Sequence, residues 1–359
     1  MKSKLTGIRA ALIALTGLTL YSQVAPADEI TAVSWGGAFE KSEVEAYFRP
    51  FTRKTGIAVN VVSYNGGLAE IKAQVEAHNV SWDIVDLETQ DVRQGCDEGI
   101  LEKINPAIIN PGADGSSPAD DFITGAITEC SVGKIVWSNV VAYDTRRFTE
   151  KKPEKIADFF DLQTFPGKRG MRNIGQVNAE WALMADGVPT KDLYATLSTP
   201  EGVDRAFAKL DTIKSDVVWW EAGAQPPQLL ADGEVVMSTA YNGRIFNAID
   251  KEKQPFAIVW DGQIYNFGSW GIPKGSPKKD LAIELIKFGT SSQPLAEQAK
   301  WTAYAPVRKS SLKFVDSSLL LQLPTAPENF GNALQFDVAF WADHADEINE
   351  RFKVWLTSK

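Results

Sequence analysis

From residue 30 onward, short β-rich runs alternate with segments whose apolar residues recur at helical spacing. Residues 30–35 and 57–62 carry the β-branched and apolar residues of strands. Between them, residues 40–55 place Val44, Tyr47, Phe48 and Phe51 on one helical face, and Gly56 stops the helix. Residues 68–78 predict a second helix, 83–87 a buried strand, and 90–98 a third helix ending at Gly99. Strand–helix alternation with short loops predicts a mainly parallel sheet with helices on both faces. Ligands of such sheets sit at the carboxyl ends of the strands. Those ends are Ser34-Trp35-Gly36-Gly37, the run 63–67, and Leu87-Glu88-Thr89-Gln90.

Residues 134–143 form a long β-branched and aromatic run, long enough to leave one lobe and enter another. The α/β grammar then repeats. Helices are predicted over 179–185, 203–214 and 242–250, and strands over 217–220, 235–239, 256–260 and 265–272. A second crossing near Gly268 would return the chain to the first lobe, followed by helices over 280–289 and 295–301 and a helical tail from 333 onward. No internal repeat or low-complexity segment interrupts this order.

The start of the chain breaks the pattern. Lys2, Lys4 and Arg9 precede an apolar run over 10–20 and a small-residue exit at Ala25-Pro26-Ala27. These are the parts of a secretory signal peptide, with cleavage expected after Ala27. The apolar run is well short of the roughly 20 residues a bilayer span needs. Export changes two other readings. Removing residues 1–27 takes the formal charge from -9 to -12, which argues against nucleic acid or an anionic membrane as a partner. It also places Cys96 and Cys130 in an oxidising compartment, where one structural disulfide is the simplest expectation. A catalytic or metal-binding thiol is the alternative, without ligand or triad spacing near either residue. The eleven tryptophans exceed what the core needs, so some are expected on a binding surface.

Recognisable chemistry is sparse. His78 and His344 each lie on a predicted helix without a motif around them, and the sequence has no GxSxG, HExxH or CxxC. Pro166-Gly167-Lys168-Arg169-Gly170 has the wrong spacing for a phosphate loop. Acidic neighbours such as Asp120 and Asp121 suit a solvated loop. An exported hydrolase acting on a small substrate stays open as the alternative, but binding without turnover fits better. No metal or cofactor is expected.

Several runs, taken in order, carry a resemblance. Ser34-Trp35-Gly36-Gly37, Phe51-x-x-x-Thr55-Gly56-Ile57-x-Val59 and Trp82-Asp83-Ile84-Val85 resemble the extracellular solute-binding proteins of bacterial ABC importers. Leu230-x-Asp232-Gly233-Glu234-Val235, Ala240-Tyr241-Asn242-Gly243 and Trp270-Gly271-Ile272-Pro273-Lys274-Gly275 are similar to the spermidine/putrescine-binding branch, which has gamma-aminobutyrate-binding relatives. The resemblance implies a type II periplasmic binding protein fold: two α/β lobes, each a mainly parallel sheet flanked by helices, hinged by crossing strands. Lobe 1 is expected over 28–138 plus 268–359, and lobe 2 over 139–267. The protein would be a periplasmic monomer that closes on a small ligand and delivers it to a membrane permease driven by an ATPase.

Departures from the family pattern bear on the ligand. Polyamine binders hold ammonium groups with carboxylates and pack methylenes between aromatics. Trp35 and Tyr241 keep the aromatic part. Gly268, however, stands where the family usually has Asp, and the run 172–178 has amides where the family has acids. Arg244 stands where some putrescine binders carry Asp. An arginine repels a diamine but makes a bidentate pair with a carboxylate. A ligand with a carboxylate at one end and an ammonium at the other fits, such as gamma-aminobutyrate, with Glu88 or Asp261 meeting the ammonium. Pairing of Arg244 with Asp250 or Glu252 on the helix surface is the competing reading, and an unrelated small anion remains open. The ligand-binding residues implied are Trp35, Gly36, Gly37, Glu88, Gln90, Asn178, Tyr241, Arg244, Asp261 and Trp270.

Overall fold

The computed structural model describes residues 28–358, so the segment expected as a signal peptide lies outside the described residues. Eight main strands build the frame: β1 (Glu29–Ser34), β2 (Ala58–Ser63), β3 (Ile84–Glu88), β4 (Ser131–Asp144), β5 (Arg169–Arg172), β6 (Val217–Trp220), β7 (Met237–Tyr241) and β8 (Phe256–Gly271). They join in the order β2-β1-β3-β8-β4-β7-β5-β6. Pairing is parallel for β1 with β2 and β3, and for β5 with β6 and β7. The long strands β4 and β8 run antiparallel to each other, and β8 to β3 and β4 to β7 likewise. The sheet is therefore mixed, with two parallel halves joined by an antiparallel pair.

Those two strands connect the lobes. The end of β8 pairs with β3, whereas Asn139–Tyr143 of β4 pair with β7. Residues 256–271 were expected as two strands and form one, paired with β4 over 256–259 and again over 264–271. Between these stretches a register shift sets the single residue Val140 of β4 against residues 260–263 of β8. The helix expected over 40–55 runs from Gly37 to Thr55, with a π-helical turn at Val44–Phe48.

Each lobe has its own core. Ile30, Phe51, Ile84 and Trp270 lie in one, and Phe159, Trp181, Leu193 and Met237 in the other. The C-terminal helix Val338–Thr357, expected with the first lobe, packs into the second instead. Its buried Phe340, Trp341, Ile348, Phe352 and Trp355 join the second core, where Trp355 meets Phe207 and Phe352 meets Trp219. Cys96 and Cys130 form a disulfide with their Cα atoms 5.8 Å apart, linking helix Thr89–Asp97 to the start of β4. No helix among the described residues is long and apolar enough to cross a membrane.

Candidate functional site

A cavity of about 750 Å³ opens where the carboxyl ends of β1, β3, β5 and β7 face one another across β4 and β8. The first lobe contributes Trp35 from the end of β1. Gly36 and Gly37, at φ of +68° and +59°, turn the chain away behind it and shape this corner rather than line it. Tyr64 packs beside Trp35 with ring centroids 5.0 Å apart, and its hydroxyl donates to the carbonyl of Asp86. Phe39 completes this aromatic wall.

Behind the wall lies a charge cluster without solvent access. The Lys134 ammonium contacts both Glu43 and Asp86, all three buried. Ser34, next to Trp35, donates to Glu43, and the ammonium sits 4.9 Å from the Phe39 ring centroid. Burial first, and Asp86 beside it second, push the Glu43 carboxyl up, while Lys134 opposes them.

Glu88 ends β3 directly opposite Gly268 of β8, and both line the cavity. Gln90 donates to the Glu88 carboxylate. Burial raises the Glu88 pKa and Asp91 adds to the rise, whereas Gln90 and Arg172 oppose it. The second lobe answers with two guanidinium groups, Arg172 at the end of β5 and Arg244 in the helix Asn242–Asp250 that follows β7. Ion pairs among the described residues occupy Arg49, Arg93, Arg146, Arg205, Arg308 and Arg351, but neither Arg172 nor Arg244. Asp250, a candidate partner for Arg244, pairs with Lys251 instead. Tyr241 lies close enough to both arginines that they counter the upward push of burial on its hydroxyl. Burial pushes the Tyr304 hydroxyl up to about 12, with Arg244 opposing. Glycines let these aromatics approach: a Cβ at Gly223 would lie 2.7 Å from the Tyr241 ring, and one at Gly243 2.5 Å from Tyr304.

The cavity thus gathers Trp35, Glu88, Gln90, Tyr241 and Arg244 of the residues singled out in sequence. Three others lie elsewhere. Asp261 accepts from the Ile156 backbone N–H and from Asn332, in a separate hollow of about 510 Å³. Its place in β8 carries it past the cleft. Trp270 is buried between Tyr47 and Phe48 under Lys134. Asn178 is buried and spends its amide on the carbonyls of Arg172 and Ile174. Trp137 and Tyr304 were not anticipated from the sequence, and Tyr64 and Arg172 were placed only within the runs 63–67 and 172–178, not among the binding residues. The strand-end rule points to Arg172, but Arg169–Arg172 lacks the apolar run that reveals a strand.

Two α/β lobes on a pair of crossing strands, with a polar and aromatic cleft between them, define a solute-binding protein. The chain belongs to the bacterial extracellular solute-binding proteins, whose family model matches residues 46–321. It is 44% identical over 331 residues to the gamma-aminobutyric acid-binding protein of Pseudomonas aeruginosa, covering 92% of each chain. The solved Atu4243 GABA receptor is similar at 34% identity and a TM-score of 0.79, over 92% of this chain and 98% of the other. An ABC transporter substrate-binding protein from Bradyrhizobium japonicum is similar at 32% identity and a TM-score of 0.81, over 91% and 99%.

Proposed function

We propose that this protein is the periplasmic solute-capturing component of an ABC importer, and that its ligand is gamma-aminobutyrate or a close ω-amino acid. The observation that carries the reading is the pair of guanidinium groups, Arg172 and Arg244, that face the cleft from one lobe without an ion-pair partner among the described residues. Opposite them, the first lobe presents Glu88 and Asp91 beside the faces of Trp35 and Tyr64. A carboxylate pairs with the arginines, an ammonium with Glu88 and the aromatic faces, and the methylenes lie against Trp35 and Tyr241. Because the opposite charges sit on different lobes, an ω-amino acid bridges them and favours closure on β4 and β8. A diamine would set one cation against two arginines. The named relatives support this assignment.

In this reading the N-terminal segment is a cleaved secretory signal and the closed monomer meets a membrane permease. The protein binds its solute and returns it unchanged. Calorimetric titration with gamma-aminobutyrate, putrescine, spermidine and neutral amino acids tests the assignment. Gamma-aminobutyrate should bind best, and Arg244→Ala should lower its affinity about thirtyfold or more, as expected for loss of a charge-assisted contact in a closed cleft. Tight putrescine binding that survives Arg244→Ala would overturn the carboxylate assignment. Recovery of a converted product would overturn binding without turnover.

A further inference from the structure

Between β5 and the helix Asn178–Ala185, the chain makes a turn that its residue types disfavour. Val177 is β-branched yet adopts φ +70° and ψ -43°, a conformation that persists only where surrounding contacts enforce it. The enforcing contact is Glu180, fully buried one helical turn ahead. Its Oε2 accepts the Val177 backbone N–H at 2.7 Å. Its Oε1 accepts the Trp341 indole N–H at 2.6 Å and the Tyr194 hydroxyl at 3.2 Å. All three donors are neutral. Of the titratable groups, Tyr194 is the one hydrogen-bonded to Glu180 among the described residues, and one bond further on is Asp337, whose backbone N–H donates to the Tyr194 hydroxyl. Burying a carboxylate without a cation is costly, so this arrangement asks for a reason beyond packing.

The turn leads to the cleft. Asn178, adjacent to Val177, donates at 2.7 Å to the carbonyl of Arg172 and at 2.7 Å to that of Ile174. Arg172 lines the cavity with a guanidinium that has no ion-pair partner among the described residues. We infer that Glu180 is a positioning residue for ligand binding: it enforces the Val177 turn, and through Asn178 fixes the backbone that aims Arg172 into the cleft. The inference rests on the assignment of Arg172 to the ligand carboxylate.

A double-mutant cycle read by titration with gamma-aminobutyrate tests it. Arg172→Ala and Glu180→Gln should each weaken binding, the latter about tenfold, within the range of coupling between residues in one hydrogen-bond network. The double variant should bind no more weakly than Arg172→Ala alone, because Glu180 would have nothing left to aim. Asn178→Ala leaves Glu180 in place, cuts the links to the Arg172 and Ile174 carbonyls and should show the same non-additivity, which keeps the test available if Glu180→Gln does not fold. An equal further loss in the Arg172→Ala background, or no loss from Glu180→Gln, would overturn the inference while leaving the cleft assignment standing. An unchanged affinity for Arg172→Ala would instead remove the assignment of Arg172 and the inference with it.

Discussion

The backbone at Gly66 lies against the ring of Trp35 so closely that a Cβ there would come within 2.4 Å of ring carbon Cζ3. Gly66 also holds φ +88°, a conformation costly to any residue with a Cβ. Gly66→Ala therefore displaces the tryptophan or the loop that covers it. We predict an affinity loss of about tenfold with a stability loss of only about 1–2 kcal/mol, since the strain is local. Titration alongside thermal unfolding checks this; an unchanged affinity would show that Trp35 does not need its present orientation.

Lys134 is the sole cation contacting Glu43 and Asp86 among the described residues. Lys134→Met should cost about 3–5 kcal/mol, because it leaves buried acids uncompensated. Glu43→Gln in that background should recover part of the loss by removing one negative charge. Urea unfolding of the two variants measures both effects. The single variant should also bind ligand more weakly, because Ser34, Phe39 and Tyr64 all touch this cluster or the strand that carries it.

The disulfide lies away from the cleft and closes a segment with a sequence separation of 34. Cys96→Ser should lower stability by about 3–4 kcal/mol in the chain-entropy account and leave ligand affinity within about twofold. Denaturant unfolding and titration of the variant check the two halves separately. A large affinity loss would mean that helix Thr89–Asp97, which begins beside Glu88, shifts when the bridge is cut.

The parts of the fold and cleft legible in the sequence were those where local pattern and tertiary role coincide. The ends of β1 and β3 carry Trp35 and Glu88 into the cavity, where strand-end reasoning places ligands. Arg172 escaped because its short strand is polar at both ends and is identified only by its pairing with β6 and β7. Asp261 misled for the converse reason. It sits in an apparent gap between two strands, but that gap is a register shift within the one strand β8, where 260–263 lose their pairing with β4, and its carboxylate receives the Ile156 backbone N–H. The helical period of the tail was readable, but which lobe its aromatic face would meet depends on Phe207 and Trp219, over a hundred residues earlier.

Glu180 also makes a prediction about stability and pH. Burial pushes its carboxyl up to about 7 from an ordinary 4.5, against the pull of its three hydrogen-bond donors. The folded protein therefore retains, between these two values, a proton that the unfolded chain has released. Stability from this group is greatest below about pH 4.5, falls as pH rises toward 7, and levels off above it. The total fall is on the order of 3 kcal/mol, from the size of the shift at about 1.4 kcal/mol per pH unit. Glu43 and Glu88 are also pushed up by burial, so the wild type alone does not isolate the effect. The difference between wild type and Glu180→Gln does. Urea unfolding of both at pH 5, 6, 7 and 8 should give a gap that shifts steadily against the wild type up to pH 7 and flattens between 7 and 8. A gap independent of pH would mean that Glu180 titrates in its ordinary range despite its burial.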